Sequence, residues 1–471
     1  MKAGRCRNWV VVALQMAGVL AGASTVDCEI GSRLELFTDD YLVGRMDGLR
    51  LKLHAPQLAP APEQPLIGAY TTVLKDGDRF RAWYRAVIPG YDGERYDGHP
   101  GELTCYAESM DGHDWTFPEL DIHEVRGPQG GNVILAGQAP FSHNFSPFID
   151  TRPDCPPNER YKAMSGVHAG GGLHAFVSAD GIDWREAGNG PVITSEAFAF
   201  DSQSSAFWSE AEGRYICYFR SWTLPEDGLR TISRTTSEDF LNWTPPVPMH
   251  PNLPGEHLYT NNTHPYFRAP HLYIALPTRF LPDRGNSTDI LFMTTRVGSD
   301  HYDRTFTEAF IRPGLDPARW GNRANYAALN VLPTGPDELS IWHGPSGRRY
   351  TLRTDGFVSV HAGAEAGELL TKVLTFSGNQ LVINASTSAA GSIRVEMQAV
   401  DGSPLDGFSL DDSEPFVGDA IEHVINWKGQ DNLHQLIGKP VRIRFVLQEA
   451  DLFSIRFRPV GDNSKKDSKL P

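Results

Sequence analysis

Residues Ser109–Trp115 read Ser-Met-Asp-Gly-His-Asp-Trp, and residues Ser178–Trp184 repeat the pattern as Ser-Ala-Asp-Gly-Ile-Asp-Trp. Residues Thr236–Trp243 carry a degenerate third copy, Thr-Ser-Glu-Asp-Phe-Leu-Asn-Trp. The Asp and Gly favour a tight turn between two strands, and the Trp of the outer strand folds back to cover the hairpin. The tryptophans recur roughly 60 to 70 residues apart, which is typical of an internal repeat of one structural unit.

Strand patterns precede these turns. Four basic-aromatic segments each begin just after a turn rich in Asp, Gly, Pro or Glu: Arg79–Arg85, Arg160–Met164, Arg214–Arg220 and His271–Leu276. Another strand candidate lies before each of them, and a fifth precedes Glu338–His343: Gly68–Leu74, Asn144–Asp150, Asp201–Trp208, Tyr259–Phe267 and Asn325–Leu332. Five units of about four strands predict an all-β chain in which residues 34–356 form a five-bladed β-propeller.

The pattern changes after Asp355. Apolar residues alternate with polar ones over half a dozen segments, as at 393–399 and 441–447. This alternation predicts a β-sandwich over residues 357–460, which we expect to fold separately and to bind the propeller firmly. Residues 461–471 contain three lysines and no apolar periodicity, so we expect a disordered tail there.

Composition limits the class of protein. Gly 45 and Pro 34 are high for 471 residues while the apolar fraction is an ordinary 40%, which excludes disorder for most of the length and disfavours a helical bundle. A formal charge of −15 argues against a nucleic-acid binder. No zinc-site spacing occurs, and we expect neither a metal nor a cofactor. Two disulfides with three connectivities are open to the cysteines beyond the leader, Cys28, Cys105, Cys155 and Cys217.

The first 23 residues have the features of a secretory signal peptide. Lys2, Arg5 and Arg7 form a positive n-region, Trp9–Leu20 is apolar but too short to span a bilayer, and Ala21–Ala23 is a small-x-small triplet. We expect cleavage after this triplet and export to the periplasm or the extracellular space, with an uncleaved anchor as the alternative. No other stretch is apolar enough to cross a bilayer, so no integral membrane segment is expected after signal removal.

The blade series with a C-terminal sandwich resembles glycoside hydrolases of families 32 and 43, the invertase, levanase and arabinanase type. In particular, it is similar to exported bacterial proteins related to family 32. The similarity covers nearly the whole mature chain, and its most specific pieces are Leu36–Leu42, Asp150–Asp154, Tyr259–Pro265 and Asn325–Asn330. The Ser-x-Asp-Gly-x-x-Trp turns are also similar to the Asp-box of sialidases, which marks a propeller hairpin away from the chemistry.

The resemblance implies three carboxylates at the mouth of the propeller channel: a nucleophile or base, an acid, and one that tunes the pKa. This sequence departs from that pattern. Gly68–Thr72 holds no acid at the start of the first inner strand, and Asn144 and Ser146 stand where an Asp-Pro pair is usual. Hydrolysis of a poly- or oligosaccharide is the implied function. A non-catalytic glycan- or protein-binding propeller is the alternative, and a transferase, lyase or sialidase also stays open.

Three acids are the catalytic candidates. Asp201 opens the third inner strand among small polar side chains, Glu256 precedes the fourth, and Asp40 follows the apolar pair Leu36-Phe37. Each also fits a turn or cap. The substrate-binding candidates are polar or aromatic residues beside the inner strands: His257, Tyr259, Asn262, Asn144 and Arg220. The expected partner is a carbohydrate substrate and no nucleic acid, and the oligomeric state is left open.

Overall fold

The computed structural model describes residues 26–223 and 228–459. Within them the regular elements are β-strands and single-turn 3₁₀ helices, so the predicted all-β class is confirmed. The 3₁₀ turns are Pro157–Glu159, His168–Gly170, Pro282–Arg284, Pro317–Arg319, Gly344–Ser346 and His434–Leu436. No helix in these two ranges is long and apolar enough to cross a bilayer. The predicted signal peptide (1–23) and tail (461–471) lie outside the described residues.

Five short strands open the described chain and three regular sheets follow. The opening strands are β1 (Cys28–Gly31), β2 (Glu35–Leu36), β3 (Val43–Asp47), β4 (Arg50–Leu53) and β5 (Gln57–Leu58). Sheet 1 contains β6 (Ala69–Asp76), β7 (Arg79–Val87), β8 (Glu102–Ser109) and β9 (Val133–Leu135). Sheet 2 contains β10 (Ser146–Ile149), β11 (Tyr161–Ser165), β12 (His174–Ser178) and β13 (Arg185–Glu186). Sheet 3 contains β14 (Ser205–Ser209), β15 (Arg214–Trp222), β16 (Arg230–Ser237) and β17 (Val247–Pro248).

Residues 257–296 form two small sheets, which together we call sheet 4. Their strands are β18 (His257–Leu258), β19 (His264–Tyr266), β20 (Ala269–Ala275), β21 (Thr278–Leu281), β22 (Ser287–Ile290) and β23 (Met293–Arg296). β18, β21 and β22 make one sheet, and β19, β20 and β23 make the other. Sheet 5 contains β24 (Leu332–Pro333), β25 (Glu338–His343) and β26 (Arg348–Arg353), and its fourth strand is β5 from the N-terminal segment.

The leading strands of the five sheets lie side by side. β6 contacts β10, β10 contacts β14, and β14 contacts β19. The segment that leads into sheet 5 lies beside the first of these strands, because Leu329 forms a parallel bridge with Thr72 in β6. Asn262, just ahead of β19, donates to the carbonyl oxygen of Ala327 in that segment. These strands therefore follow one another in a cyclic order, which brings the residues at their starts into one region.

The repeated Ser-x-Asp turns have the same hydrogen bonds in all three copies. Asp111 Oδ1 accepts two successive backbone N–H groups at 2.8 and 3.1 Å, and Asp180 and Asp239 do the same. Phe240 occupies the third turn at φ 71°, where the other two copies have glycine. Because these bonds join residues within three positions, the turn sequence alone dictates the hairpin.

The remaining strands form the C-terminal sheet and a separate two-stranded sheet of β1 and β29, both of which include strands from the start of the chain. They are β27 (Val358–Ala362), β28 (Gly367–Thr371), β29 (Leu374–Phe376), β30 (Gln380–Gln398), β31 (Asp419–Val424) and β32 (Arg442–Arg458). β3 and β4 occupy the two ends of the order β3-β28-β32-β27-β4, β2 pairs with β32, and β1 pairs in parallel with β29. Residues 28–53 thus pair with the C-terminal part, which differs from the expected division into 34–356 and 357–460. Local alternation predicts a strand but not a partner that is distant in sequence.

The four described cysteines are unpaired. Cys28, Cys105 and Cys217 are buried, and Cys155 is half-buried. Burial raises the pKa of Cys105 to about 12, so its thiol remains neutral and packs as a small apolar group.

A buried ion cluster joins the N-terminal segment to sheet 4. Arg296 in β23 lies 2.9 Å from Glu35 and 2.6 Å from Asp39, measured between nitrogen and carboxylate oxygen. Glu35 is 1% exposed and also contacts His271 at 3.2 Å. Burial alone raises the pKa of Glu35, but the contact with His271 and the positive charge of Arg296 outweigh it and lower the pKa to about 2. Folding therefore stabilises the ionised form of Glu35 relative to its protonated form.

This cluster predicts a loss of stability in acid. The pKa of Glu35 is lower in the folded state than its unfolded value near 4.5, so its contribution is complete above that value and is lost as the pH falls toward 2. We expect the loss to reach about 3 kcal/mol. Urea unfolding at a series of pH values should show a flatter acid dependence for Glu35→Gln than for the parent. Glu29→Gln, on the exposed side of β1, is the control, and equal slopes for Glu35→Gln and the parent would contradict the prediction.

Candidate active site

Tyrosine rings from three sheets meet where the leading strands begin. Tyr70 belongs to β6, Tyr259 follows β18, and Tyr326 lies ahead of β24. The rings of Tyr70 and Tyr326 are stacked with centroids 5.5 Å apart, and those of Tyr259 and Tyr326 are 5.6 Å apart. All three side chains are buried. We call these three residues the tyrosine cluster, and it forms the centre of the candidate site.

Arginine side chains surround the tyrosine cluster. The guanidinium carbon of Arg85 lies 4.6 Å from the ring centroid of Tyr70. Arg220 and Arg230 both lie over the ring of Tyr259, at 5.0 and 5.1 Å. A guanidinium is attracted to the negative face of an aromatic ring, and more so where water is excluded. The site therefore combines positive charge with apolar ring surface.

Asp201 supplies a carboxyl group to this site. It precedes β14, is 7% exposed, and its Oδ2 lies 3.0 Å from Nη2 of Arg220. Burial raises the pKa of Asp201 above its ordinary value in spite of the positive charge of Arg220, and the negative charge of Asp97 adds to the rise. A carboxyl group with a raised pKa keeps its proton to higher pH, as a general acid requires.

The pKa of Tyr259 is shifted downward, opposite to the shift of Asp201. Burial raises the pKa of its phenol, but the positive charges of Arg220 and Arg323 and a hydrogen bond from Arg323 outweigh burial and hold the pKa below its ordinary value. Burial raises the pKa values of Tyr70 and Tyr326. Tyr259 is consequently the phenol of the tyrosine cluster that ionises most readily.

Asn144 holds the backbone around Asp201. Its Nδ2 donates to the carbonyl oxygens of Phe200 at 2.6 Å and of Ser202 at 3.0 Å. Phe200 has φ 75°, and Tyr70 at the facing strand has φ 46°, both in the left-handed region that non-glycine residues seldom adopt. Residues in such conformations gather at functional sites, where the surrounding bonds compensate for the strain. Asn144 thus positions Asp201 through the backbone.

Two further predicted residues lie beside the tyrosine cluster. His257 Nδ1 accepts the backbone N–H of Arg230 at 3.1 Å. Asn262 Nδ2 donates to the carbonyl oxygen of Ala327 at 2.6 Å and so joins sheet 4 to the segment that leads into sheet 5. The structure therefore places Arg220 between Asp201 and the ring of Tyr259, whereas His257 and Asn262 bind neighbouring backbone.

A second acid–base group adjoins Tyr70 and was not singled out from the sequence. Glu102, at the start of β8, lies 3.0 Å from Nδ1 of His143, and Nη1 of Arg85 lies 3.4 Å from Glu102. Burial lowers the pKa of His143, and the charge of Arg85 also lowers it against the opposing contact with Glu102. The only sequence signal is the polarity of His143-Asn144 between aromatic residues, which does not reveal a partner forty residues away.

The other two predicted acids occupy different surroundings. Glu256 is buried, and its two carboxylate oxygens lie 2.9 and 3.2 Å from the guanidinium of Arg304, with Arg279 at 3.9 Å. Asp40 is exposed in a bend ahead of β3, where Lys372 donates to its backbone oxygen at 2.8 Å. In the described part of the chain, the structure brings neither carboxylate into contact with Asp201.

The pairing of Glu256 predicts a structural effect of its replacement. Glu256→Gln leaves Arg304 with a neutral partner in a buried position, and we expect the free energy of unfolding to fall by about 3 kcal/mol. Urea unfolding measures this loss. Glu238→Gln, at an exposed turn position, should leave the free energy of unfolding nearly unchanged. A Glu256→Gln protein as stable as the parent would show that the Arg304 contact contributes little.

Several buried polar atoms at the site have no hydrogen-bond partner among the described residues. They are Nε and Nη1 of Arg220, Nε of Arg230, Oη of Tyr326, Oδ1 of Asn262 and Oγ of Ser202. Each such atom costs about 1–3 kcal/mol unless a ligand or solvent group completes it. Their concentration in one place favours a binding site. Across residues 26–223 and 228–459, no three His, Cys, Asp or Glu side chains are grouped so that they could hold a metal ion.

The chain is similar to known proteins in three-dimensional structure. No family model and no curated protein matches the chain. A family 43 arabinoxylan arabinofuranohydrolase from Bacillus subtilis is 13% identical with a TM-score of 0.40, covering 83% of this chain and 96% of that one. A β-1,2-mannobiose phosphorylase from Listeria innocua is 12% identical with a TM-score of 0.44, covering 64% and 97%. A fructofuranosidase from Schwanniomyces occidentalis is 12% identical with a TM-score of 0.38, covering 85% and 97%. These solved structures include members of the enzyme group that the sequence motifs resemble, at identities that carry no residue roles across.

Proposed function

We propose that the five sheets are the blades of a five-bladed β-propeller and that the C-terminal sheet with residues 28–53 forms a β-sandwich. The cyclic order of the leading strands supports the propeller. A cavity lined by residues from all five sheets supports a central channel, with Leu74, Phe148, Phe207, His264 and Leu332 among them. One continuous apolar cluster of residues from both ends of the chain supports the sandwich.

We propose further that the chain is an exported glycoside hydrolase whose active site is built from Asp201 and Tyr259. One observation carries this proposal: the two groups flank the guanidinium of Arg220, and their pKa values move in opposite directions, upward for Asp201 and downward for Tyr259. When the surroundings shift the pKa values of two neighbouring groups in opposite directions, one site can hold both a protonated acid and an ionised partner.

The proposed reaction has two steps. Asp201 donates its proton to the leaving glycosidic oxygen while the phenolate oxygen of Tyr259 forms a bond to the anomeric carbon and the old carbon–oxygen bond breaks. The Asp201 carboxylate then takes a proton from water, which attacks the anomeric carbon and releases Tyr259 as phenolate. Each step inverts the anomeric carbon, so the product retains the original configuration. Glu256, the second acid expected from the sequence, supports the site through Arg304 in this scheme, and Asp40 has no part in it.

The test is hydrolysis of a broad panel of oligosaccharides, with the anomeric configuration of the first product followed by proton NMR. Cleavage with retention is the expected result. Cleavage with inversion would overturn the role of Tyr259 as nucleophile, because a single displacement by water reverses the configuration. Binding of a glycan without any cleavage would establish the alternative, a non-catalytic propeller.

A further inference from the structure

Three guanidinium groups converge on Tyr259 with few acids to balance them. Arg220 and Arg230 lie over its ring, and the positive charge of Arg323 is near enough to lower the pKa of its phenol. Among the acids of the described residues, Arg220 forms an ion pair only with Asp201, at 3.0 Å, and Arg323 forms one with Asp97 at 3.6 Å. Like charges held this close repel one another, so the group is most stable when an anion lies among them.

Of the three arginines, Arg230 has the positive charge that nearby acids balance least. The rings of Trp222 and Phe280 lie 4.6 and 5.4 Å from its guanidinium carbon, and the nitrogen contact is to His257. No carboxylate within the described ranges forms an ion pair with Arg230. Burial lowers the pKa of Arg230, and the neighbouring positive charge of Arg220 lowers it further. Both effects destabilise the charged guanidinium, because no counter-ion lies beside it.

Arg220 adds unused donors at the same place. The residue is 3% exposed, and its Nε and Nη1 have no acceptor among the described residues. A guanidinium presents its N–H groups in a planar fork that matches the oxygens of a carboxylate or phosphate. A neutral sugar hydroxyl satisfies one donor at a time and leaves the charge unbalanced. The free donors therefore favour an oxyanion over a neutral group.

We propose that Arg220, Arg230 and Arg323 bind the carboxylate of an acidic sugar, so that the substrate is a glycan containing uronic acid or a similar sugar acid. This inference rests on the proposed hydrolase function, since it places the acid group beside Asp201 and Tyr259. The formal charge of the whole chain is −15, which makes the three arginines a local positive site on an acidic protein. Selection of an acidic sugar must then come from these contacts and not from long-range attraction.

Calorimetric binding to the full-length Asp201→Asn protein tests the inference without turnover. The probes are matched oligosaccharides that differ only in carboxylate against hydroxymethyl at C6: oligogalacturonate and oligogalactose, oligoglucuronate and oligoglucose, oligomannuronate and oligomannose. At least one acidic member should bind about 10- to 100-fold more tightly than its neutral counterpart, as expected for charge-assisted hydrogen bonds. Equal affinities within every pair, or no binding of any acidic member, would overturn the inference.

Arg323→Gln tests the arginines with little risk to folding, because its side chain is 52% exposed. This replacement should weaken binding of the acidic oligosaccharide about tenfold, and by a clearly larger factor than binding of the neutral one. Arg185→Gln is the matched control, since Arg185 is 55% exposed and also forms one ion pair, with Glu159. Equal weakening of acidic and neutral probes by Arg323→Gln would overturn the assignment.

Two further arms separate other outcomes. Binding of inorganic phosphate, together with equal affinities for acidic and neutral sugars, would make the three arginines a phosphate site and overturn the sugar-acid assignment. Cleavage of neutral glycans that depends on Asp201, with no preference for acidic ones, would overturn this inference and leave the proposed hydrolase function intact. Preferential binding of acidic glycans with no cleavage by the parent would do the reverse.

Discussion

Replacement of Asp201 by asparagine is expected to lower kcat/KM by about 10²- to 10⁴-fold on any glycan that the parent cleaves. The carboxamide keeps an oxygen for Arg220 but has no proton that it can give to a leaving oxygen. The fold should persist, because Asn144 binds the backbone on either side of Asp201 and not its side chain. Steady-state kinetics and a thermal melt on the same preparation measure both expectations.

The pH dependence gives a second readout of the same replacement. Turnover of the parent should decline as the pH rises through the pKa of Asp201, since the acid must be protonated to act. Because that pKa lies above its ordinary value, the decline should begin at higher pH than for an ordinary aspartate, and it should be absent from Asp201→Asn. Asp180→Asn, in a hairpin turn, should lower the melting temperature and spare turnover. Full activity in Asp201→Asn would refute the assignment.

Replacement of Asp355 by alanine is expected to give the largest loss of stability. This carboxylate is 0% exposed and accepts hydrogen bonds from Tyr266 at 2.6 Å, Ser454 at 3.0 Å and Asn384 at 3.1 Å. Tyr266 belongs to sheet 4, while Ser454 and Asn384 belong to the C-terminal sheet. Removal of the carboxylate leaves the buried hydroxyls of Tyr266 and Ser454 without this acceptor, while the amide of Asn384 keeps only its bond to the carbonyl oxygen of Thr354 at 2.8 Å. We expect the free energy of unfolding to fall by about 3–5 kcal/mol.

The effect of Asp355→Ala should concentrate at the junction between sheet 4 and the C-terminal sheet. Limited proteolysis of the variant should cut near residue 355 under conditions in which the parent stays intact. Asp355→Asn retains one acceptor and tolerates the local φ of 62°, so it should lose less stability than the alanine variant. Asp406→Ala, at an exposed position, serves as the control. A stable and protease-resistant Asp355→Ala protein would show that other contacts suffice to join the two parts.

The all-β class was predictable because its signals are local. Hydrogen bonds between residues at most three positions apart fix the turn at Asp111. The recurrence of this turn sequence therefore predicts the other hairpins. The pairing of β3 and β4 with β28 and β27 was not predictable, because alternation in a short strand specifies which face is buried but not which strand lies alongside.

The candidate site was predictable in part for a similar reason. Asp201 and Tyr259 stand at the starts of strand patterns, where a residue can face a channel and where polar character is visible in the sequence. Glu256 has the same local character, yet Arg304 binds its carboxylate from a segment that comes 48 residues later. Arg230 and Arg323 were missed because a single arginine in a strand or loop carries no sign of the ring it will contact.

The pairing of the first strands with the last has a consequence for biosynthesis. β1 to β5 leave the ribosome roughly 300 residues before β26 to β32, a delay of tens of seconds at usual elongation rates. During this interval their backbone edges have no partner and are open to chaperones or to mispairing with other chains. Closing so long a loop also costs entropy before any contact compensates for it. A message truncated ahead of the codons for β26 (Arg348–Arg353) would therefore yield a chain that leaves its earliest strands permanently unpaired, and quality control should degrade it.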